Sequence, residues 1–564
     1  MGRHGAGLTI RIIIVGVLAG WLMVMVNLYM GLRTPFTEPG SILSALICFV
    51  VLRALGQQLS IHENNLGQTL ASASGSIGNM VNVIPALFLL GFSLSMGEVF
   101  VWVLSISVLG VLIAIPYRTQ LIEKDKLPFP TGAACADLLR SLHSQGGEGR
   151  RQGLRLGVSA ACAGVITWFR DGVGAFIPAE ICVPGAVGRI GLDRISFGLV
   201  ASPMLLGVGG LVGLRIGLSM AAGAVIFWLV LPSLLGAQGL LVSMEYGDIS
   251  SWIRWPGVSL LVASGLTWFV VYLRDFVRSP GSLGAPGGAF GDKGVMTFRT
   301  WLLCLIACSA LVLAVLWKVL GVPPLLGLVS IVAAGFLAVA TLRIYGETDV
   351  NLAGPIGHVS QFLAAPLLGG NALGVLGAGG VTEGAMCVAG DTLQDLKTGA
   401  VIGTQPKLQL RAQLIGVVTG SLAIVPVYFL LTSVHELGGA VLPAPSAVTY
   451  ASLATALSGG LEMLPPGASL AMGIAAALGV LLTILARRGA AASLLPSVTG
   501  LGVAALIPPS FSFTICLGAL GAAALRAGTT RAAGSGVTMI ASGLIAGESL
   551  CGTLVALLLA TGVI

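Results

Sequence analysis

Fifteen consecutive residues from Ile12 to Val26, IIIVGVLAGWLMVMV, carry no charged side chain and would be apolar on every face of a helix. A helix at the surface of a soluble protein keeps a polar stripe toward water, whereas one surrounded by lipid has none to keep. Hydrocarbon about 30 Å thick is crossed by about 20 such residues. The first run extends over 12–31, and others follow at 41–55, 83–94, 99–115, 153–169, 197–214, 216–235, 257–273, 300–320, 325–342, 412–432, 468–486, 498–508, 513–525 and 537–562. They predict an all-α, polytopic integral membrane protein with about 14–16 transmembrane helices in two related halves, some of them broken or re-entrant. A membrane β-barrel would alternate apolar and polar residues over short strands, and these runs do not alternate. Composition agrees, with 56% hydrophobic and 9% charged residues and a mean hydropathy of +0.98.

The net charge of +7 does not signal nucleic acid. Basic residues gather in short loops, as in RRQGLR at 150–155, RR at 487–488, and Lys397, Lys407 and Arg411, where the positive-inside rule accounts for them. The nine cysteines form no CxxC pair, and Cys304 and Cys308 lie one helical turn apart in an apolar run, which suits core packing. No disulfide framework, metal or cofactor is expected. The opening MGRHGAGLTIRIIIVGVLAG reads as an uncleaved first helix rather than a signal peptide.

Four segments are too polar or too Gly- and Pro-rich to face lipid: 64–82, 128–142, 354–378 and 380–396. Irregular or polar backbone at membrane depth is tolerated only against protein or a water-filled cavity, so these segments are expected to line one. The most polar connection, RSPGSLGAPGGAFGDKG at 278–294, has a linker's composition. It suggests an N-terminal half over 1–277, a linker over 278–297 and a C-terminal half over 298–564. Echoes in matching order support a duplication: LRALGQQLSIHENNLG beside LRIYGETDVNLAG, SPMLLGVGGLVGLR beside PPSFSFTICLGALGAAALR, and SMAAG beside SGLIAG. Transporters built from repeats place their sites at discontinuous helices of corresponding position.

The segment ENNLGQTLASASGSIGNMVN at 63–82 gathers Glu63, Asn64, Asn65, Gln68, Thr69, Asn79 and Asn82, with Gly67, Gly75 and Gly78 between them. Amides and hydroxyls supply donors and acceptors for a polar solute, although each one singly serves equally well as glue between helices. Its counterpart GETDVNLAGPIGHVSQ adds Glu347, Asp349, Asn351, His358 and Gln361. Two more segments read as short helical pieces. In LPFPTGAACADLLRSL, Thr131 is placed to cap a helix and Asp137 and Arg140 to pair. In VTEGAMCVAGDTLQDLKTG, Glu383, Asp391 and Asp395 precede Lys397, and the two aspartates share a helix face, either as a cation or proton site or as an anchor at the membrane surface. Glu548 stands within an otherwise apolar span, and a lone intramembrane carboxylate is a functional candidate by default. No GxxxxGK[ST], HExxH or GxSxG motif is present, which removes the usual signals of ATP hydrolysis, metalloproteolysis and a serine nucleophile.

Seven stretches in order resemble the oligopeptide transporter (OPT) family, and within it the bacterial branch near the yellow-stripe-like metal-chelate transporters. They are ENNLGQTLASASGSIGN (63–79), LPFPTGAACADLL (127–139), SPMLLGVGGLVGLRIG (202–217), GETDVNLAGPIGHVSQ (346–361), DTLQDLKTG (391–399), PSVTGLGVAALIPPSFSF (496–513) and ASGLIAGESL (541–550). The resemblance implies alternating access and proton-coupled movement of small peptides or peptide-like metal chelates across a bacterial inner membrane. The partners so implied are that solute, protons and membrane lipids, with a homodimer as an open option. Leu352, where the family pattern has Pro, His358, where it has Lys, and Glu383, where it is small and neutral, depart from it; the added Glu and His would shift selectivity toward cationic or metal-containing solutes. Under this reading Glu63, Asn64, Asn65, Gln68, Thr69, Asn79, Asn351, His358 and Gln361 contact the substrate, and Glu347, Asp349, Glu383, Asp391, Asp395 or Glu548 carry the proton. The rival is an intramembrane enzyme acting on a lipid-linked substrate through Asp391 and Asp395 with a metal.

Overall fold

In a computed structural model of the chain, the described residues are 7–34, 40–55, 59–78, 80, 82–143, 148–172, 176–241, 243–277, 295–348, 351–439, 441–459, 464–486, 495–527, 531–561 and 563. The helices in the first part of the chain are α1 (Ile10–Arg33), α2 (Gly40–Ala54), α3 (Ile61–Ile77), α4 (Val83–Leu89), α5 (Met96–Arg118), α6 (Pro130–His143) and α7 (Glu148–Asp171). Four short strands follow, β1 (Glu180–Cys182), β2 (Ala186–Val187), β3 (Ile190–Gly191) and β4 (Gly198–Val200), then α8 (Pro203–Val212), α9 (Leu214–Val225), α10 (Leu231–Ala237) and α11 (Tyr246–Val277). The remainder comprises α12 (Phe298–Leu320), α13 (Pro324–Thr348), α14 (Ala353–Ala364), α15 (Ala372–Ile402) and α16 (Pro406–Val434). Last come α17 (Pro445–Gly459), α18 (Ala468–Leu485), α19 (Val498–Ala504), α20 (Pro509–Ala527) and α21 (Arg531–Ala560).

Among the described residues, 10 helices are long and apolar enough to cross a membrane, and Gly40–Ala54 and Pro203–Val212 are shorter apolar helices. The protein is a helical polytopic membrane protein. Several expected runs end early for local reasons. Gly213, at φ +85°, separates α8 from α9, a conformation that favours glycine. The run expected at 498–508 contributes only α19 before Pro508 and Pro509 interrupt it. Conversely, α15 runs unbroken across the division at 378–380 between two of the segments named above, with its glycines from Gly374 to Gly399 buried. Thr131 does not cap α6, which begins at Pro130. The β-strands are the local exception to an all-helical chain: β1 pairs antiparallel with β4, and β2 with β3.

The chain forms two compact units, each drawing segments from both sides of residue 278: Met1–Leu28, Thr37–Gly153 and Phe269–Phe429 make the first, and Tyr29–Phe36, Leu154–Trp268 and Leu430–Ile564 the second. The sequence 278–294 expected as a linker lies outside the described residues. In the first unit α15 is the hub, packed by α3, α5, α6, α13 and α14. In the second, α8 packs on α20 and α21, and α9 on α19 and α20. Its aromatic core holds Trp228 stacked on Tyr246 at 4.8 Å, with the indole N–H donating to the Ala504 carbonyl at 2.9 Å.

Without a hydrophobic force between helices in lipid, close packing depends on small residues that let backbones touch. At the α8–α20 contact this works in both directions. A Cβ on Gly209 would lie 2.0 Å from the Ile515 carbonyl oxygen, and one on Gly518 would lie 2.1 Å from that of Leu206. Replacing Gly518 by Ala is therefore expected to destabilise the second unit by about 1–3 kcal/mol through overpacking. Gly521→Ala on the same helix, where an added methyl meets nothing within 4 Å, is expected to be neutral or slightly stabilising. Thermal unfolding of the two variants in detergent checks the contrast.

Candidate functional site

Helix α3 begins with a capping box. The Ser60 hydroxyl accepts the Glu63 N–H at 3.2 Å, and the Glu63 carboxylate accepts the Ser60 N–H at 3.0 Å. Arg11 pairs with the same carboxylate at 2.7 Å. Partial burial would raise the Glu63 carboxyl, but the Ser60 and Arg11 bonds outweigh it and hold the group below its ordinary value. Glu63, expected at the substrate, is thus occupied in starting the helix. From Asn64 to Ile77 the helix is buried throughout, so its polar residues must find partners in protein.

One of them, Gln68, reaches Asp395 on α15, while Ser72 meets Ser41 of α2 and Ser74 the Gly416 carbonyl of α16. Asp395 is 0% exposed, and its Oδ1 accepts from Gln68 Nε2 at 2.6 Å and from the Ser41 hydroxyl at 2.9 Å. Asn65 donates to Gln68 Oε1 at 2.9 Å, which fixes the direction of the Gln68 amide toward Asp395. Gln409 closes the ring: its amide N–H₂ donates to the Asp395 backbone carbonyl at 2.8 Å and lies 3.3 Å from Asn65 Oδ1 and 3.4 Å from Thr69 Oγ1. Room for that amide comes from Gly399, where a Cβ would meet Gln409 Oε1 at 2.0 Å. Among the described residues no cation pairs with Asp395, and its Oδ2 is buried without a hydrogen-bond partner. The Asn64 amide is likewise buried with both polar atoms unpartnered. A lone buried oxygen on a carboxyl group is a place for a proton or a small cation, since it otherwise forfeits its hydration for nothing.

The other expected residues are spread over the first unit. Asp391, one turn from Asp395, accepts instead from the Tyr345 hydroxyl at 3.1 Å, so the two aspartates do not converge. Glu383 accepts from the Asn82 amide. Beside Glu383 lies a cavity of about 20 Å³ lined by Met80, Trp102 and Cys387, room for one water. His358 Nδ1 and Gln361 Oε1 are 3.1 Å apart. The Asn351 side chain caps the start of α14 by accepting the Ala353 N–H at 2.9 Å. Asn79, Asp349 and the Glu347 side chain lie outside the described residues. Among the described residues no three His, Cys, Asp or Glu side chains converge to hold a metal.

Glu548 belongs to the second unit and to a different kind of site. It is 0% exposed, and Arg33 at 2.7 Å and Arg170 at 3.1 Å both pair with its Oε1. The Ser202 hydroxyl and the Met204 N–H, at the N-terminus of α8, bind the carboxylate from the other side at 2.9 and 2.8 Å. Two guanidinium groups and a helix N-terminus therefore compensate this anion completely. Sequence reading missed Arg33 and Arg170, as well as Ser41, Ser202 and Gln409. The available signal was that each arginine ends an apolar run, in NLYMGLR and ITWFRD, where a charge needs a buried partner.

Residues 7–559 match the family model described as OPT oligopeptide transporter protein. The chain belongs to that family. Among curated OPT relatives, it is 25% identical to a Haemophilus influenzae protein named "Putative oligopeptide transporter", over 95% of this chain and 93% of that protein. It is also 24% identical to the metal-nicotianamine transporter YSL2 of Arabidopsis thaliana, over 96% of this chain and 92% of that one. This OPT chain is thus a membrane transporter.

The two paired carboxylates give contrasting expectations. Glu548→Gln leaves two buried guanidinium groups without their shared anion and is expected to cost about 3–5 kcal/mol. Glu63→Gln breaks a partly exposed pair and is expected to cost about 0–1 kcal/mol. Denaturation midpoints of the two purified variants against the parent protein test the difference.

Proposed function

We propose that this chain is a proton-coupled secondary transporter of small peptides or peptide-like metal chelates in a bacterial inner membrane, of the OPT branch near the yellow-stripe-like transporters. The observation that carries the coupling is the buried, cation-free Asp395 with one unpartnered oxygen. Its second oxygen is held by Gln68 and Ser41, so the carboxyl keeps its orientation while Oδ2 takes up or gives away a proton. Asn64, Asn65, Gln68 and Thr69 are buried to 0–1% exposure and, apart from Asn64, bond to one another. In this conformation they meet a proton or small ion, and a solute reaches them only when the unit opens. Asn79, Asn351, His358 and Gln361 are retained as solute contacts of the opened state, and Glu347, Asp349, Glu383, Asp391 and Glu548 as secondary candidates in the proton path.

Support for alternating access comes from the paired architecture: a shorter helix carrying glycines packs on long helices in each unit, as α3 on α15 and as α8 on α20 and α21. The sequence echoes between 1–277 and 298–564 support a repeat along a different division, in which the start of α3 matches 342–354 and α8 matches α20. The direct test is uptake into proteoliposomes of labelled di- to tetrapeptides and of iron–chelator complexes, with and without an inward proton gradient. Accumulation of chemically unchanged solute, stimulated by the gradient, is the expected result. Gradient-independent equilibration would remove the proton coupling, and conversion of the solute would return the enzyme reading.

A further inference from the structure

The second unit encloses a cavity of about 420 Å³ whose wall includes Tyr29, Arg33, Asp171, Glu180, His435 and Phe511. That volume falls within the roughly 300–1,000 Å³ of small-molecule sites. Charges of both signs face it, and their pairing is incomplete in a specific way. Arg170 is committed: it forks onto Asp171, donates to the Ala201 carbonyl at 2.8 Å and pairs with Glu548. Arg33 is only half used. All of its hydrogen bonds leave from Nη1, to Glu548 at 2.7 Å and to the Tyr29 hydroxyl at 3.4 Å, while its Nε is buried with no partner. The guanidinium plane is steadied by the Phe511 ring at 5.0 Å and the Tyr29 ring at 5.6 Å.

Glu180 is half used in the complementary sense. It accepts from the Ser510 hydroxyl at 3.2 Å and lies 3.8 Å from the Cys182 thiol, and no cation pairs with it among the described residues. Ser196, on the same wall, holds φ at +54°, an unusual backbone state for a residue other than glycine. His435 adds no competing charge near neutrality, because burial and then the Arg33 charge push it below its ordinary value, against a smaller opposing pull from Asp171. One cavity thus presents a guanidinium with donors to spare and a carboxylate lacking a cation.

We infer that this cavity of the second unit binds a small zwitterionic solute, with the solute carboxylate on Arg33 and its ammonium group on Glu180. Glu548 acts as a positioning residue: by holding Nη1 it fixes the Arg33 guanidinium at the cavity wall. The class of solute, a peptide or amino-acid-like molecule, rests on the transport reading above; the position of the site and its demand for both charges do not. Bidentate recognition of carboxylate is what arginine does best, and a hydrogen bond to a charged group is worth about 1.5–3 kcal/mol, which corresponds to roughly ten- to a hundredfold in affinity.

The test is equilibrium binding of labelled tri-alanine to the purified full-length protein, beside its C-terminal amide and its N-acetyl derivative. The free tripeptide is expected to bind, and each blocked derivative to bind at least about tenfold more weakly. Arg33→Gln should weaken the free peptide to the level of the amide and make the protein indifferent to amidation. Glu180→Gln should do the same for acetylation. Val441→Trp, at an exposed position on the cavity wall, leaves every charge in place and should abolish binding by filling the space. Equal binding of all three peptides, binding unaltered by Glu180→Gln and Val441→Trp, or no binding of tri-alanine overturns the inference. Uptake by the same preparation in proteoliposomes is read separately. Uptake without dependence on these residues defeats the cavity assignment alone, whereas charge-dependent binding without uptake supports the cavity and defeats the transport reading.

Discussion

A carboxylate removed from water has to be answered by a cation, by hydrogen-bond donors or by a proton, and the two units of this protein answer it in opposite ways. Glu548 is met by Arg33, Arg170, the Ser202 hydroxyl and the first turn of α8. Asp395 is met by one amide and one hydroxyl on a single oxygen, with nothing on the other. The first arrangement makes a permanent anion that organises its surroundings. The second leaves the charge state of the carboxyl open to whatever ion arrives, which is the property a coupling group needs.

Helix packing follows from those needs. A polar helix such as α3 survives at membrane depth only because α2, α15 and α16 supply matching donors and acceptors, and that requires close approach. Glycine supplies the approach where it matters: Gly399 admits the Gln409 amide that closes the ring around Asp395. In the second unit Gly209 and Gly518 bring α8 against α20, and thereby fix the amide N-terminus that binds Glu548. Packing and electrostatics are therefore one constraint in this fold, since moving either helix pair also moves a carboxylate's partners.

Much of this was legible in the residues themselves. Uninterrupted apolar runs announce spanning helices, and the polar stretch from Asn64 to Ile77 announces a segment buried against protein because no lipid-facing segment would tolerate it. Asp395 and Glu548 were visible as carboxylates without an obvious reason to be in a membrane. Their environments were not visible. Gln68 and Asp395 are 327 positions apart, and Arg33 and Glu548 are 515 apart, so only the tertiary fold joins them. The S-x-x-E pattern from Ser60 to Glu63 is a local helix start that was readable, whereas the Arg11 pair on the same carboxylate was not. The strands between Glu180 and Val200 were invisible because two or three residues carry too little alternation to be read.

The most direct test of the central claim, that Asp395 carries the coupled proton, is a comparison of proton flux with solute exchange in proteoliposomes containing Asp395→Asn. Asparagine preserves the shape and an acceptor for Gln68 and Ser41 but removes the titratable oxygen. The account predicts that the variant still exchanges labelled tripeptide between equal pools on the two sides while net uptake moves no protons and no longer responds to a proton gradient. Proton movement at the parental ratio to solute in Asp395→Asn would contradict it.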